Sequence, residues 1–417
     1  MADGHEGEYV SVTTSGSVES DRPTNRVLNA AAAIGGPAEV LEFLLPLWAG
    51  SVLGAGPAQV GLLVATGALA ALLARYPLGH LADRADRLVL AAVGAGGAAV
   101  ALAGLALVEA TGAGIGPAFV VAALSGAAGA ATGVGIRSWL ADRHGGDVDA
   151  YGVLLTAESQ GAGLGYVVAF VLLGQLGYPP IYVLGAAACL LGGGLLVAAR
   201  SETPARPQVR ATAPTRRPSG PLNRFLVLCG VTAAAETAVV LLLLLHLQNG
   251  ERLGVYEIAY ALAPGLLAFI VVPRYASGLS RRAGPGPVVA CALLVAASFG
   301  VVLATGPGVV PLSAAWTVAA AALAAALPVE QSLVARSSPD RLGVAMSRYE
   351  SAQLVGATAG SAGAGLMYEA GGALLPGVAA AAVLVVSGAA APALVRALPL
   401  LPGPAVDPGP DRDPDQR

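Results

Sequence analysis

Apolar runs of about twenty residues recur from end to end of this 417-residue chain, separated by short polar or Gly/Pro-rich breaks. A run of that length crosses a bilayer as an α-helix, which satisfies its own backbone hydrogen bonds where hydrocarbon offers no partner. Counting runs and breaks predicts twelve spans, at 27–50, 58–78, 88–108, 116–138, 150–174, 179–199, 223–247, 254–276, 286–305, 309–331, 343–367 and 372–395. The expected fold class is an all-α membrane protein. The weakest break is "TGPGVVP", between the ninth and tenth spans.

Three stretches fall outside this pattern. Residues 1–26 are polar and lack the basic-then-apolar order of a cleavable signal, so they read as a flexible cytoplasmic tail. Residues 397–417, rich in Pro and Asp, read as a disordered tail. Residues 200–222, beginning "RSETPARPQVRATAPTRRPSG", read as a cytoplasmic linker between six spans at 27–199 and six at 223–396. The two halves echo one another: "NRVL" at 25–28 with "NRFL" at 223–226, and "RYPLG" at 75–79 with "RYASG" at 274–278, at offsets of 198 and 199. Glu158-Ser159 is similarly echoed by Glu350-Ser351. Parallel six-helix repeats joined by a long loop describe a two-bundle transporter architecture.

Composition agrees with a lipid environment. The chain is 55% hydrophobic and 12% charged, against roughly 25% charged for soluble domains. Its mean hydropathy is +0.70. The net charge of −3 selects no partner, and nothing points to nucleic acid. All 23 basic residues are arginine, which fits GC-rich coding and a bacterial source. With the N-terminus inside, every arginine except Arg252 falls on the inner side or at an inner helix end, so both termini are expected in the cytoplasm and the chain in the cell (inner) membrane. Trp48 and Trp139 lie near span ends and suit interfacial anchoring. His246, at an outer helix end, reads as surface. Cys189, Cys229 and Cys291 lie inside apolar runs without disulfide or metal spacing.

The charged stretch "RYPLGHLADRADR", residues 75–87, interrupts the apolar pattern between the second and third spans. It resembles the inner-loop motif of the major facilitator superfamily, Gly-x-Leu-Ala-Asp-Arg-x-Gly-Arg-Arg/Lys. Gly79, Leu81, Ala82, Asp83, Arg84 and Arg87 match, whereas Asp86 replaces a glycine and Leu88 a basic residue. The resemblance covers nearly the whole chain and implies two six-helix bundles. It also implies a conformational latch built from Gly79, Asp83, Arg84 and Arg87. In that family the aspartate lies against the start of the eleventh helix, here near Gly343, where the helix dipole attracts a carboxylate. Asp86 is expected to neutralise part of the Arg87 charge. "GLSRRAG", 278–284, keeps the glycine but has no acid, so a second latch is not expected.

A charge at a helix centre costs about 3 kcal/mol, which makes it a functional candidate. Glu39 and Glu42 share one face of the first span, and Glu236 lies near the middle of the seventh, within one residue of the position equivalent to Glu39. They are candidates to carry a coupling proton or to meet a cationic substrate. The family resemblance places the first and seventh helices around the central cavity. Arg137, Glu158, Arg348 and Glu350 lie nearer the inner side and are candidates for an inner gate, the alternative being that they snorkel to headgroups. Glycine pairs at 129/133, 161/165 and 356/360 allow close helix packing. The last two are expected to face the opposite bundle. "GAGLG", 161–165, is similar to the family's antiporter pattern, with Ala162 for its proline and Tyr166 for its last glycine.

No nucleotide-binding, metal-ligand or nucleophile pattern appears, so an enzyme is not expected and no cofactor is assigned beyond a proton gradient. The expected function is alternating-access transport, as proton-coupled efflux of a small amphipathic organic compound by a monomer in the lipid bilayer. The competing readings are an importer of a sugar, organic acid or other metabolite and, more distantly, a non-transporting membrane enzyme or receptor.

Overall fold

The computed structural model describes residues 21–144, 148–202, 220–338 and 342–399. The tails at 1–20 and 400–417 and the linker core at 203–219 lie outside the described residues. Among the described residues every regular element is helical: α1 (Arg22–Ser51), α2 (Pro57–Ala82), α3 (Arg87–Thr111), α4 (Ile115–His144), α5 (Val148–Leu176), α6 (Tyr178–Glu202), α7 (Gly220–Leu245), α8 (Val255–Val271), α9 (Pro273–Ala283), α10 (Pro285–Thr305), α11 (Val309–Ser337), α12 (Leu342–Gly371) and α13 (Leu374–Arg396). Nine helices among the described residues are long and apolar enough to cross a membrane. Their outer faces carry exposed aliphatic stripes, such as Val93, Val100 and Leu107 on α3, each more than 60% exposed. Contiguous apolar surface of this kind is unstable in water and suited to lipid. The chain is a multi-pass membrane protein.

Helix ends follow local chemistry. Pro57 and Pro285 start their helices, where a missing N–H costs nothing. Gly112 ends α3 at φ 62°, a conformation a side chain would strain. Three boundaries differ from the expected spans. The eighth span is divided at Val272, because Pro273 lacks the N–H that would continue α8. α11 runs on to Ser337, two turns beyond the expected end, which brings Glu330 inside the helix.

The third difference is at the N-terminus. Residues 22–26, expected in the flexible tail, are helical, because the Asp21 carboxylate accepts the Thr24 N–H at 2.9 Å and caps α1. Asp21 also pairs with Arg143 at the end of α4. Desolvation opposes its charge, but Arg143 and the Thr24 hydrogen bonds outweigh that and hold the carboxyl at about 2, below its usual 3.8. The stability this pair adds is present above that usual value and disappears as the pH falls through about 2. Asp21 is 40% exposed, so Asp21→Asn is expected to cost no more than about 1 kcal/mol at neutral pH. Thermal melts of both proteins should converge near pH 2; an undiminished difference there would assign the effect to something other than this charge.

Packing follows the small residues. α1 packs on α5 and α6, α3 on α4 and α6, and α2 on α4; in the second half α7 packs on α12 and α13, and α10 on α11 and α13. The glycine pair of α5 lies against α1, with Gly161 over the Ala32 carbonyl and Gly165 over Gly36. The pair of α12 lies against α7, with Gly356 over the Gly230 carbonyl and Gly360 over the Ala234 carbonyl. Both seams therefore join helices of the same half, not opposite halves as expected. Ala32 and Gly36 recur as Gly230 and Ala234 at the offset of 198 seen in the sequence echo, so the repeat extends to the packing. The contacts between halves are made chiefly by α2 with α12 and, less extensively, by α5 with α8. Gly133 meets the Arg137 side chain, and Gly129 meets nothing.

Trp48 is fully buried and donates its Nε1–H to Glu109 at 2.8 Å, so it packs in the core instead of anchoring at the interface. Trp139 is also buried, with the Arg143 guanidinium over its ring. His246 is half-buried in a π-helical turn, His246–Gly250, 3.8 Å from Glu251, and is not a surface residue.

Candidate functional site

The chain's helices alternate direction, so one end of the molecule gathers the α2–α3, α4–α5 and α11–α12 connections and most arginines. Near that end four charged side chains from four helices meet. Arg75 on α2 bonds Glu350 on α12 at 2.6 Å. Glu350 also takes Arg137 on α4 at 3.1 Å, and Arg137 reaches Glu158 on α5 at 3.2 Å. Each is between 17% and 29% exposed. Two cations and two anions balance, and partly dehydrated charges need that balance. Among the expected gate residues, Arg137, Glu158 and Glu350 are brought together. Arg348 is not: it is exposed, one residue from the buried Tyr349. Arg75 takes the remaining place. Its position six residues inside the end of α2 was the available signal, hidden because arginines at inner ends are expected anyway.

The α2–α3 turn differs from the latch read in the sequence. Asp83 ends α2 and is exposed, and among the described residues its side chain makes no hydrogen bond or ion pair to α12. Arg84 is exposed as well, and a Cβ on Gly79 would meet nothing within 4 Å. Arg87 instead ties α3 to α4, pairing with Asp142 and donating to the Ser138 carbonyl at 3.0 Å. Asp86 does not pair with Arg87 as expected. One oxygen caps α3 through the Leu88 and Val89 N–H groups, and the other bonds Arg200 at 2.7 Å. The aspartate where the motif has glycine is thus a helix cap that also fastens α6 to the turn.

The opposite end is also joined across the halves. Glu369 on α12 accepts the Ala58 N–H of α2 at 2.9 Å, a carboxylate at a helix N-terminus. Gly61 on α2 lies against the backbone of Ser361 and Gly365, and Gln248 donates to the Leu47 carbonyl at 3.1 Å. α2 and α12 are therefore fastened at both ends in this structure.

Between the two ends lie the interior carboxylates. Glu39 and Glu42 are accessible although α1 is surrounded by α2, α4, α5, α6 and α7, so both face a space between helices. Glu39 is within electrostatic reach of Glu42 and Glu158. Beside them Phe43, Tyr166 and Phe170 form an aromatic cluster with centroids 5.9–6.3 Å apart. Tyr166, which stands where the antiporter pattern has glycine, donates to the Glu39 carbonyl at 3.2 Å. On the other side Glu236 of α7 is within reach of Glu330 of α11. Glu330 is 5% exposed and accepts from Tyr349 at 3.3 Å; Gln353 in turn donates to Tyr349 at 2.9 Å. The Cys229 thiol is Glu330's other partner. Sequence reading missed Glu330, because "EQS" at 330–332 resembled the end of a span. Tyr349 and Glu350 are adjacent, so one turn of α12 touches both the interior acid and the ion-pair network.

A family model described as Major Facilitator Superfamily matches residues 28–318. Among solved structures, an auto-inhibited POT family peptide transporter superposes with a TM-score of 0.73 at 12% identity, over 92% of this chain and 99% of that one. The nucleoside transporter NupG gives 0.66 at 14%, over 89% and 98%. The human organic anion transporter MFSD10 (TETRAN) gives 0.64 at 16%, over 90% and 99%. At these identities the likeness is one of fold. No curated protein sequence matches the chain.

Proposed function

This chain belongs to the Major Facilitator Superfamily, and we propose that it exports a small amphipathic organic compound by proton-coupled alternating access. In this reading twelve spans form bundles at 27–199 and 223–396, with both termini in the cytoplasm of a bacterial cell and the arginine-rich end facing inward. α8 and α9 together supply the eighth span. The observation that carries the proposal is the placement of uncompensated carboxylates, Glu39 and Glu42 on one side and Glu236 and Glu330 on the other, between two fastened ends. Acids in that position suit a cationic substrate or an exchanged proton and disfavour an anion. The Phe43–Tyr166–Phe170 cluster supplies apolar area and cation–π faces for an amphipathic cation.

Alternating access requires the two fastenings of α2 and α12 to release in turn. The network of Arg75, Glu350, Arg137 and Glu158 closes the inner end, and Glu369 with the Gly61 contact closes the outer end. Asp83 and Arg84 are free in this arrangement to engage in another.

The test is a deletion strain screened against a panel of toxic compounds, followed by transport of the identified compound in cells and in inverted vesicles. Export predicts gained sensitivity and uptake by inverted vesicles; uptake by intact cells would favour the importer. Glu39→Gln, Glu42→Gln, Glu236→Gln and Glu330→Gln follow on the same assay. Losing a charged hydrogen-bond partner is expected to slow transport about tenfold for at least one of them. Wild-type rates in all four would remove the carboxylates from the mechanism.

A further inference from the structure

The outer face of α2 carries a second feature. Leu62, Leu69, Leu73, Tyr76, His80 and Arg84 recur at spacings of three, four and seven and share one face. All are exposed, Leu73 by 66% and Tyr76 by 77%. The faces of α2 that carry Gly61 and Gly67 are taken by α12 and α4, so this face points away from the protein. Three leucines occupy its middle, and a hollow of about 480 Å³ lined by Tyr76, Pro77, His80, Leu81 and Arg84 closes its arginine-rich end. The Tyr76 and His80 rings meet edge-on at 4.7 Å and form one wall.

The charges around the hollow are unequally engaged. Arg75 is held by Glu350, Arg87 by Asp142, and Asp86 by Arg200. Asp83 has Arg87 as its electrostatic neighbour. The Arg84 guanidinium has no hydrogen-bond or ion-pair partner among the described residues. An unsatisfied planar cation, with donors from a tyrosine and a histidine, above an apolar stripe matches an anionic phosphodiester above acyl chains.

We propose that this face binds an anionic phospholipid, its phosphate held by Arg84 with His80 and Tyr76 and its chains along Leu62, Leu69 and Leu73. The site is independent of the transported solute and lies on the helix whose other face carries Arg75. A bound lipid would therefore bear on the helix that has to move.

The full chain in nanodiscs of equal phosphatidylglycerol and phosphatidylcholine, released into native mass spectrometry, tests this. The wild type should retain phosphatidylglycerol preferentially. Arg84→Ala should cut that retention about fivefold, as expected for one arginine at an anionic surface, without changing phosphatidylcholine adducts. His80→Ala should cut it less. Arg84 is exposed and unpartnered, so folding is unaffected. Arg396→Ala, a change at another exposed arginine of the same end, should leave the preference intact. Equal retention of the two lipids by the wild type, or equal losses in the Arg84 and Arg396 variants, would overturn the proposal. Competition by millimolar inorganic phosphate would also overturn it, by showing a free-anion site with no need of chains.

Discussion

Glu350→Gln is expected to slow transport about a hundredfold while leaving folded protein in the membrane. Glu350 is the common partner of Arg75 and Arg137, so its neutralisation strands two guanidinium groups between α2, α4 and α12. Removing one member of a buried pair costs about 3–5 kcal/mol. These side chains are about one-fifth exposed, which reduces the cost to about 2–3 kcal/mol, and each 1.36 kcal/mol is tenfold. The penalty applies only while the inner end is closed, because opening hydrates the arginines. The substitution should therefore bias the conformational equilibrium instead of unfolding the protein. Initial rates in proteoliposomes check the size of the effect. Arg75→Gln added to Glu350→Gln should recover part of the loss, since it removes one of the stranded charges. A double variant slower than the single one would mean that Arg75 acts elsewhere.

Gly360→Val and Gly161→Val are expected to remove the folded state. A Cβ at either position overlaps a main-chain carbonyl oxygen of the neighbouring helix, and no rotamer relieves a clash with backbone. The helices would have to separate along a seam that lipid does not press together hydrophobically. Overpacking of this kind costs about 3 kcal/mol, a large part of a marginal stability. Size-exclusion profiles and thermal melts should show loss of monodisperse protein in both variants. Gly129→Ala, where an added Cβ meets nothing, should behave as wild type. Because the two seams are equivalent under the repeat, a severe effect in one and none in the other would contradict equal roles for them.

Much of the fold was legible because a membrane span is a local property: twenty apolar residues declare a helix whatever they pack against. The half-repeat was legible from "NRVL" and "NRFL" and reappears in the seam spacing. What was not legible depends on distant partners. Asp86 meets Arg200 across 114 positions, and no local pattern distinguishes that from a pairing with adjacent Arg87. The glycine pairs announced close packing but not the helix they would pack against. Arg75 was hidden by a rule that explains every inner arginine equally well. Glu330 was hidden by its own polarity, which ended the apolar run before the helix ended. The acids in mid-helix, Glu39, Glu42 and Glu236, were legible because their cost in hydrocarbon marks them without any knowledge of neighbours.

The central claim is that the ion-pair network at the arginine-rich end opens and closes. Spin labels at Leu81→Cys and Val344→Cys, after replacement of the exposed Cys291 by Ser, would report the separation of α2 and α12 at that end by pulsed electron resonance. Two distances are expected in the wild type, with the longer one enriched by Glu350→Gln. A single distance, identical in the wild type and in Glu350→Gln, would contradict the account.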